Sequence, residues 1–179
     1  MRKALLLTGA SAACAGVRAA GWWWLGADSA GFAVLVVWVP MTWLCTVSRV
    51  VRPRLPDACP RLRPFELDGR VYERLGVRTF KRLLRRGPLA VFNPDLHLPE
   101  DRSPAGLAHL DRRMRDAEAA HALLFVGTFG VIAHAVVQGW WAAAALTLLF
   151  DVVMNGYPVL LQRYNRALLQ RRYGPFAEA

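Results

Sequence analysis

Four apolar segments, each long enough to cross a membrane as a helix, constrain this chain more than any other feature. They cover residues 4–26, 30–51, 119–138 and 141–162. An α-helix of about 20 apolar residues spans the ~30 Å hydrocarbon core of a bilayer, and soluble domains seldom contain several such segments. The sequence therefore predicts an all-α integral membrane protein with about four transmembrane helices.

The connections between these segments predict two helical hairpins. Only the residues GADS join the first segment to the second, and Gly139 and Trp140 join the third to the fourth. Connections this short favour antiparallel neighbours. We therefore expect an N-terminal transmembrane hairpin over 1–51, a basic cytoplasmic or interfacial loop over 52–117, and a C-terminal transmembrane hairpin with a basic tail over 118–179.

The first apolar segment has two interpretations. It follows Arg2 and Lys3 and contains many small residues, which is also the pattern of a cleaved signal peptide. Its last residues include Trp22–Trp24, an aromatic cluster typical of a retained span that ends at the membrane interface. Arg18 lies near this end, where a long side chain reaches the interface. Retention is the interpretation that the charge distribution favours, and cleavage stays open.

The distribution of basic residues predicts the orientation of the chain. The net charge is +10, and of the 23 lysines and arginines two precede the first segment, sixteen lie in 49–115 and four lie in 163–172. Four crossings place these three regions on one side of the membrane, and only Arg18 falls outside them. Because cytoplasmic loops are enriched in Lys and Arg, we expect a multi-pass plasma-membrane protein with both termini in the cytoplasm.

The same features exclude several classes of protein. A nucleic-acid-binding domain is also basic, but it does not carry several long apolar runs, so we expect membrane lipids and no nucleic acid as partners. Cys14, Cys45 and Cys59 have no CxxC spacing, and the first two lie in apolar runs. This pattern argues against a disulfide framework or a zinc site, and we expect no metal.

Residues 71–87 predict an amphipathic helix within the basic loop. Its basic positions occupy one side, and its apolar positions, which approximate the other, are Val71, Leu75, Phe80, Leu83 and Leu84. A helix of this composition lies in the membrane interface on anionic headgroups. The alternative is a helix whose apolar face packs on a protein core.

A polar stripe crosses the fourth apolar segment. On a helix, Asp151, Asn155, Gln162 and Arg166 lie within about 60° of one another. Pro158 lies inside this stretch and removes a backbone donor, so we expect a kink there. A stripe of this kind faces protein, water or a substrate, or joins helices by hydrogen bonds.

The third apolar segment begins with a carboxylate and an imidazole. Glu118 and His121 are three residues apart and therefore share one face of a helix. A carboxylate that orients an imidazole raises its basicity, which suits a general base. The alternative is a juxtamembrane charge beside a histidine of the helix interior. His97 and Asp101 form a second His–carboxylate pair, and the sequence does not define its role.

Three sequence blocks occur together in a familiar order. They are YERLGVRTFKRLL at Tyr72–Leu84, ExxH at Glu118–His121 and NxYPxxxQRYNR at Asn155–Arg166. Together they resemble the glycosyl-4,4'-diaponeurosporenoate acyltransferase family, small bacterial membrane proteins of staphyloxanthin-type carotenoid synthesis. The positions that match are Leu75, Gly76, Phe80, Lys81, Glu118, His121, Asn155, Pro158, Gln162, Arg163, Tyr164, Asn165 and Arg166.

The resemblance implies transfer of a fatty acyl group onto a sugar hydroxyl of a glycosylated carotenoid or a related glycolipid. The expected co-substrate is an acyl donor such as acyl-CoA or acyl carrier protein, with no bound cofactor. We expect His121, oriented by Glu118, to take the hydroxyl proton. The residues expected to bind the sugar, the developing oxyanion or the phosphates of a donor or lipid headgroup are Asn155, Gln162, Arg163, Asn165, Arg166 and Lys81.

Two other functions fit the same patterns. An integral membrane methyltransferase or reductase acting on an isoprenoid lipid would use the C-terminal Asn, Tyr and Arg residues as a cofactor site. A non-enzymatic membrane scaffold would use the polar stripes only to hold helices together. In a scaffold, replacing Glu118 or His121 by Gln would change stability, and there would be no turnover to lose.

Overall fold

The described part of the chain consists of helices and the short segments that connect them. The computed structural model describes residues 2–48, 50–51, 55–56, 59–86 and 101–174, and no strand occurs among them. The predicted all-α class is therefore confirmed. The elements in chain order are α1 (Arg2–Leu25), α2 (Ala30–Val47), a short 3-10 helix (Pro64–Glu66), α3 (Arg70–Arg74), α4 (Val77–Arg86), α5 (Pro104–Val137), α6 (Trp141–Asp151), a π-helical turn (Val152–Gly156) and α7 (Tyr157–Tyr173).

In the part of the chain that the structure describes, four helical stretches are long and apolar enough to cross a membrane, as the sequence predicts. They are Arg2–Leu25, Ala30–Val47, Pro104–Val137 and Trp141–Tyr173. The third is longer than its apolar segment because the polar residues from 104 onwards continue the same helix. Large apolar side chains point outwards from these helices, and Trp23, for example, is 84% exposed. Lipid is the solvent in which such an apolar exterior is stable.

The chain folds into two compact units. The first contains Met1–Arg54 and Ala120–Gly156, and the second contains Leu55–Ala119 and Tyr157–Ala179. Both long helical stretches of the C-terminal half therefore contribute residues to each unit.

The first unit is built on close contacts of α2. This helix packs against both α1 and α6. Ala33 and Ala143 are among its buried residues, and small side chains of this kind let helices approach closely. Ser29 caps the start of α2, because its hydroxyl oxygen accepts a hydrogen bond from the Phe32 backbone N–H at 3.1 Å.

The second unit has a core between two short helices and α7. Tyr72, Val77 and Leu84 pack there against Leu161 and Tyr164. The packed face differs from the apolar face that the sequence predicts. Leu75 and Leu83 belong to the predicted face, but both are exposed.

The difference in the packed face arises at a glycine. One amphipathic helix is predicted, but the chain forms α3 and α4 separated by Gly76, which has φ +78°. A left-handed residue ends a helix and reorients the chain after it. The Leu75 carbonyl at this break accepts a hydrogen bond from the Tyr157 hydroxyl at 3.0 Å.

The start of α5 belongs to the second unit. Leu107, Leu110 and Met114 are buried with Leu169, and Tyr173 packs against them. The helix begins at a local cap, where the Ser103 hydroxyl oxygen accepts from the Gly106 N–H at 3.1 Å. Apolar packing therefore holds the polar first half of α5 against α7.

A π-helical turn stands where the sequence predicts a kink. It covers Val152–Gly156 and ends two residues before Pro158. Proline has no N–H and its ring clashes with the carbonyl four residues earlier, so the ladder of i→i−4 bonds is interrupted and the turn before it widens. Gly156 permits close packing here, because a Cβ at this position would lie 3.2 Å from Phe125 Cε2.

Candidate functional site

Among the described residues, each unit contains buried polar side chains that contact one another. In the first unit, a chain of hydrogen bonds joins the third and fourth apolar segments. His121 Nδ1 lies 3.1 Å from Asn155 Oδ1, and Asn155 Nδ2 donates to Asp151 Oδ1 at 2.7 Å. Asn155 and Asp151 are almost completely buried. A line of three polar groups thus runs through otherwise apolar helices.

This line fixes the proton on His121. A carboxylate oxygen only accepts, so the amide nitrogen of Asn155 faces Asp151 and the amide oxygen faces the imidazole. That oxygen can only accept as well, so Nδ1 of His121 carries the hydrogen. The lone pair of the neutral ring then lies on Nε2, which is the arrangement of a general base.

The π-helical turn contributes to this geometry. Asn155 lies within it and Asp151 is the last residue of α6 before it. Turns of this type often occur at functional sites because they reorient side chains within a helix. Asp151 Oδ2 is buried and makes no hydrogen bond of standard geometry among the described residues.

The second unit contains a cluster of opposite character, made of charged groups. Arg163 is at its centre. Its Nη1 donates to Glu118 Oε1 at 2.5 Å, and its Nη2 donates to both carboxylate oxygens of Glu66 at 2.9 Å. The same guanidinium also donates to the backbone carbonyls of Cys59 and Arg61. Arg163 therefore ties the irregular segment before the 3-10 helix to α7.

Arg166 repeats the pattern one turn later. Its Nη1 donates to Glu118 Oε2 at 2.7 Å and to the Pro60 carbonyl at 2.7 Å, while its Nε donates to Asp111 Oδ1 at 3.1 Å. Arg115 binds the other oxygen of Asp111 at 2.7 Å. Arg166 is 1% exposed, and a buried guanidinium is stable only when it is paired in this way.

Charge balance explains why this cluster is tolerated. Arg163, Arg166 and Arg115 face the three carboxylates of Glu66, Asp111 and Glu118. Removing any one member leaves a buried charge uncompensated, which is the costly case for a buried ion pair.

Titration of Glu66 reflects the same balance. Burial acts to raise the pKa of Glu66, but hydrogen bonds from Tyr72, the Arg63 N–H and Arg163 outweigh it, so the pKa lies below its usual value. Burial and the hydrogen bond to Glu66 raise the pKa of Tyr72. The Tyr72 hydroxyl therefore stays protonated and donates to Glu66.

A third group of polar residues in the second unit lacks this balance. Lys81 Nζ donates to Asn165 Oδ1 at 2.6 Å and lies 5.7 Å from the centre of the Tyr164 ring. Burial, with the nearby charge of Arg85, lowers the pKa of Lys81. No carboxylate pairs with this ammonium among the residues that the structure describes.

Two unpartnered amide atoms lie on the same helix. Asn165 Nδ2 and Gln162 Oε1 are buried without a hydrogen-bond partner in the described part of the chain, and each residue is 8% exposed. They are three residues apart on α7 and so lie on neighbouring faces. A buried polar atom without a partner calls for an explanation, and a bound ligand is one.

The structure divides the predicted site residues between the two units. It brings His121 to Asn155 in the first unit. It places Glu118 with Arg163 and Arg166 in the second unit, where both carboxylate oxygens are taken. Asn155 therefore holds the His121 imidazole. The sequence predicts that Glu118 has this role. Their shared helix face is insufficient to pair them because two guanidinium groups attract the carboxylate more strongly than a neutral ring.

Several residues of the charged cluster are not found by sequence reasoning. Glu66, Tyr72 and Asp111 enter it from segments far along the chain. The one local signal is that Glu66 stands between apolar residues in the run PFEL. Of the second predicted pair, His97 lies outside the described residues, and Asp101 accepts a hydrogen bond from the Ser103 N–H at 2.9 Å near the start of α5. No group of three or more metal-ligating side chains occurs in the described ranges.

Comparison with known proteins gives one family match. The family model described as glycosyl-4,4'-diaponeurosporenoate acyltransferase matches residues 56–174. The chain belongs to this family. The match includes the charged cluster, the His121–Asn155–Asp151 line and the Lys81 group. No curated protein and no solved structure matches the chain.

The family defines the coarse identity of the molecule. Its name is that of an acyltransferase acting on a carotenoid glycoside, and the four apolar helices are those of a membrane protein. The resemblance of the three sequence blocks to this family is therefore confirmed.

Proposed function

We propose that this chain transfers a fatty acyl group onto a sugar hydroxyl of a glycosylated carotenoid or a related glycolipid. The observation that carries the proposal is the line of hydrogen bonds from Asp151 through Asn155 to His121. It leaves Nε2 of a neutral imidazole as the proton acceptor. The family match supports acyl transfer as the reaction that uses such a base.

The reaction follows from the chemistry of this base. Nε2 of His121 takes the proton of the sugar hydroxyl as its oxygen attacks the carbonyl carbon of the acyl thioester. The new C–O bond forms a tetrahedral intermediate with a negatively charged oxygen. When the intermediate collapses, the C–S bond breaks, and the departing thiolate takes the proton from His121. The imidazole is neutral again at the end of the cycle.

Asn155 has a supporting role in this proposal. Its amide holds the His121 ring in one tautomer and accepts a stronger hydrogen bond when the ring becomes positively charged. The sequence predicts that Asn155 binds a sugar or the oxyanion. Because both polar atoms of its side chain have protein partners, we now propose that it acts as a positioning residue.

The donor is proposed to be acyl-CoA or acyl carrier protein, both of which carry phosphate. We propose that the polar part of this donor binds at the Lys81 group. The group supplies an ammonium that has no carboxylate partner among the described residues and the two unpartnered amide atoms of Asn165 and Gln162. Arg163 and Arg166 each bind two carboxylates, so in this proposal they hold the second unit together.

The test compares two histidines of the same helix. His121→Gln is expected to abolish acyl transfer, and His109→Gln is expected to retain it, because His109 has no part in the line of hydrogen bonds. Membranes that contain each variant are incubated with acyl-CoA or acyl carrier protein and the glycosylated carotenoid, and the acylated product is measured by mass spectrometry.

Membrane insertion of both variants is measured in parallel. A His121→Gln variant that inserts normally and still transfers the acyl group would refute the proposed base. A loss of stability without any wild-type turnover would favour the scaffold, and incorporation of a labelled methyl group or hydride would favour the methyltransferase or reductase.

The location is proposed from charge. We propose a plasma-membrane protein with both termini in the cytoplasm, because the basic residues cluster in three regions that four crossings place on one side. Reporter fusions at either end that are active only outside the cytoplasm would contradict this orientation.

A further inference from the structure

A cavity in the first unit has no role in the proposed acyl transfer. Its volume is about 510 Å³, and its walls come from α1, α2 and α5. Trp22, Phe32 and Gly130 contribute apolar surface, and Arg18 and His134 are the two polar side chains. A cavity of this size falls within the range of small-molecule sites in proteins.

The cavity is separate from the candidate base. His134 and His121 are thirteen residues apart on α5, which corresponds to about 20 Å along a helix. An occupant of the cavity is therefore remote from the imidazole that the acyl-transfer proposal uses.

Arg18 is the unusual member of the lining. It lies inside a helix that is long and apolar enough to span a membrane, seven residues before the end of α1, or about 10 Å. Among the described residues no carboxylate or carbonyl binds its guanidinium. An arginine within a span is costly, and such residues pair with another group or mark a binding site.

Two aromatic side chains, Trp22 and Phe32, line this site. The Trp22 ring contacts the Phe32 ring edge to face with centres 5.6 Å apart, and its centre lies 6.0 Å from that of Trp140. Tryptophans prefer the membrane interface, so Arg18 can reach the level at which lipid phosphates lie.

We propose that this cavity binds an anionic phospholipid of the bilayer. The guanidinium of Arg18 matches a phosphate geometrically, since its planar fork donates two parallel hydrogen bonds. One acyl chain lies along the apolar wall formed by Trp22, Phe32 and Gly130. Charge complementarity to Arg18 selects a lipid of net negative charge over a zwitterionic one.

Native mass spectrometry of the purified full-length protein in detergent tests this site. The protein is incubated with phosphatidylglycerol, phosphatidylcholine or oleate, and bound molecules are counted. The wild type is expected to retain phosphatidylglycerol in preference to the other two. Arg18→Gln is expected to lower this retention about tenfold, the loss expected for a charge-assisted pair, whereas Arg2→Gln on the same helix retains it.

A matched pair of glycines tests the cavity itself. Gly130 lines it and Gly127 does not, and a Cβ at either position meets no atom within 4 Å. Both Gly130→Leu and Gly127→Leu are therefore expected to fold, but only Gly130→Leu fills the cavity and lowers retention of phosphatidylglycerol.

Three outcomes would overturn the proposal. They are equal retention by Arg18→Gln and the wild type, equal losses in the two leucine variants, and binding of phosphatidylcholine as strong as that of phosphatidylglycerol. Preferential binding of oleate would identify a free fatty acid as the occupant and would also reject the phospholipid assignment. None of these measurements depends on acyl transfer.

Discussion

The two units bury polar side chains in opposite ways. The charged cluster of the second unit pairs three guanidinium groups with three carboxylates, so the charges within this cluster cancel. The first unit buries a short line of hydrogen bonds around His121. The closed network is suited to stability, whereas the open line leaves one ring nitrogen of His121 outside its hydrogen bonds.

The contrast shows why the number of polar residues does not locate a reaction site. Arg163 and Arg166 are the most conspicuous charges of the C-terminal block, but their partners leave them little capacity to bind a ligand. His121 and Lys81 make fewer bonds and retain that capacity. Four substitutions test the contrast, from the largest expected effect to the smallest.

The largest effect is expected from removing a cation of the second unit. Arg166→Met leaves Asp111 and Glu118 buried with less positive charge, and breaking a buried ion pair costs about 3–5 kcal/mol. Thermal unfolding of the protein in detergent is expected to shift to a much lower temperature. Arg172→Met, in the exposed last turn of α7, serves as the control. Equal shifts would show that the cluster is not essential to stability.

The next effect concerns the line of the first unit. Asn155→Leu removes the group that orients His121, and we expect kcat for acyl transfer to fall about 100-fold, within the contribution of a general base, with KM unchanged. Asn165→Leu, in the second unit, is expected to raise KM for the acyl donor instead. Steady-state kinetics on the two variants separates the roles, and a change in KM alone for Asn155→Leu would contradict them.

The third effect is a dependence of stability on pH. Because the pKa of folded Glu66 lies below its usual value of 4.5, its stabilisation is fully present above that value. It is lost as the pH falls through the lower folded pKa.

The Glu66→Gln variant tests this dependence. It is expected to lose about 2 kcal/mol at pH 7 and to show a flatter decline in stability with acid. Unfolding midpoints between pH 3 and 7 measure both quantities, with the exposed Asp68→Asn as control. An acid dependence as steep as that of the wild type would rule out Glu66 as its source.

The smallest effect is expected at Lys81, whose ammonium has no carboxylate partner among the described residues. Lys81→Gln should raise KM for the donor about tenfold, the equivalent of one charge-assisted hydrogen bond, while the exposed neighbour Arg82→Gln leaves it unchanged. The pKa of Lys81 is lowered, so affinity for a phosphate is expected to weaken as the pH rises through a value below 10.5. A KM that is independent of Lys81 would place the donor elsewhere.

Much of the fold follows from local sequence. The four spans follow from apolar segments whose length matches a bilayer, and an all-helical structure follows because helices satisfy their own backbone hydrogen bonds. The site is partly predictable for the same reason: Asp151 and Asn155 are four residues apart, so helix periodicity puts them together. The three blocks also identify the family, because they occur together in its order and the QRYNR block is specific.

The partners of Glu118 could be identified only from the tertiary structure. Sequence spacing places Glu118 beside His121, yet the carboxylate binds Arg163 and Arg166, which are 45 and 48 positions away. Glu66 enters the same network across 97 positions. No periodicity encodes such pairs, because their geometry depends on which helices pack together and on the competition among charges for burial.

The sequence by itself therefore determined that this protein is helical, has segments long and apolar enough to span a membrane, and carries the polar residues of an acyltransferase family. The tertiary structure decided which of those residues neutralise one another and which keep a free atom. The physical reason is that helix formation depends on neighbours within about four residues, whereas the cost of a buried charge depends on every group that the fold brings within a few ångströms.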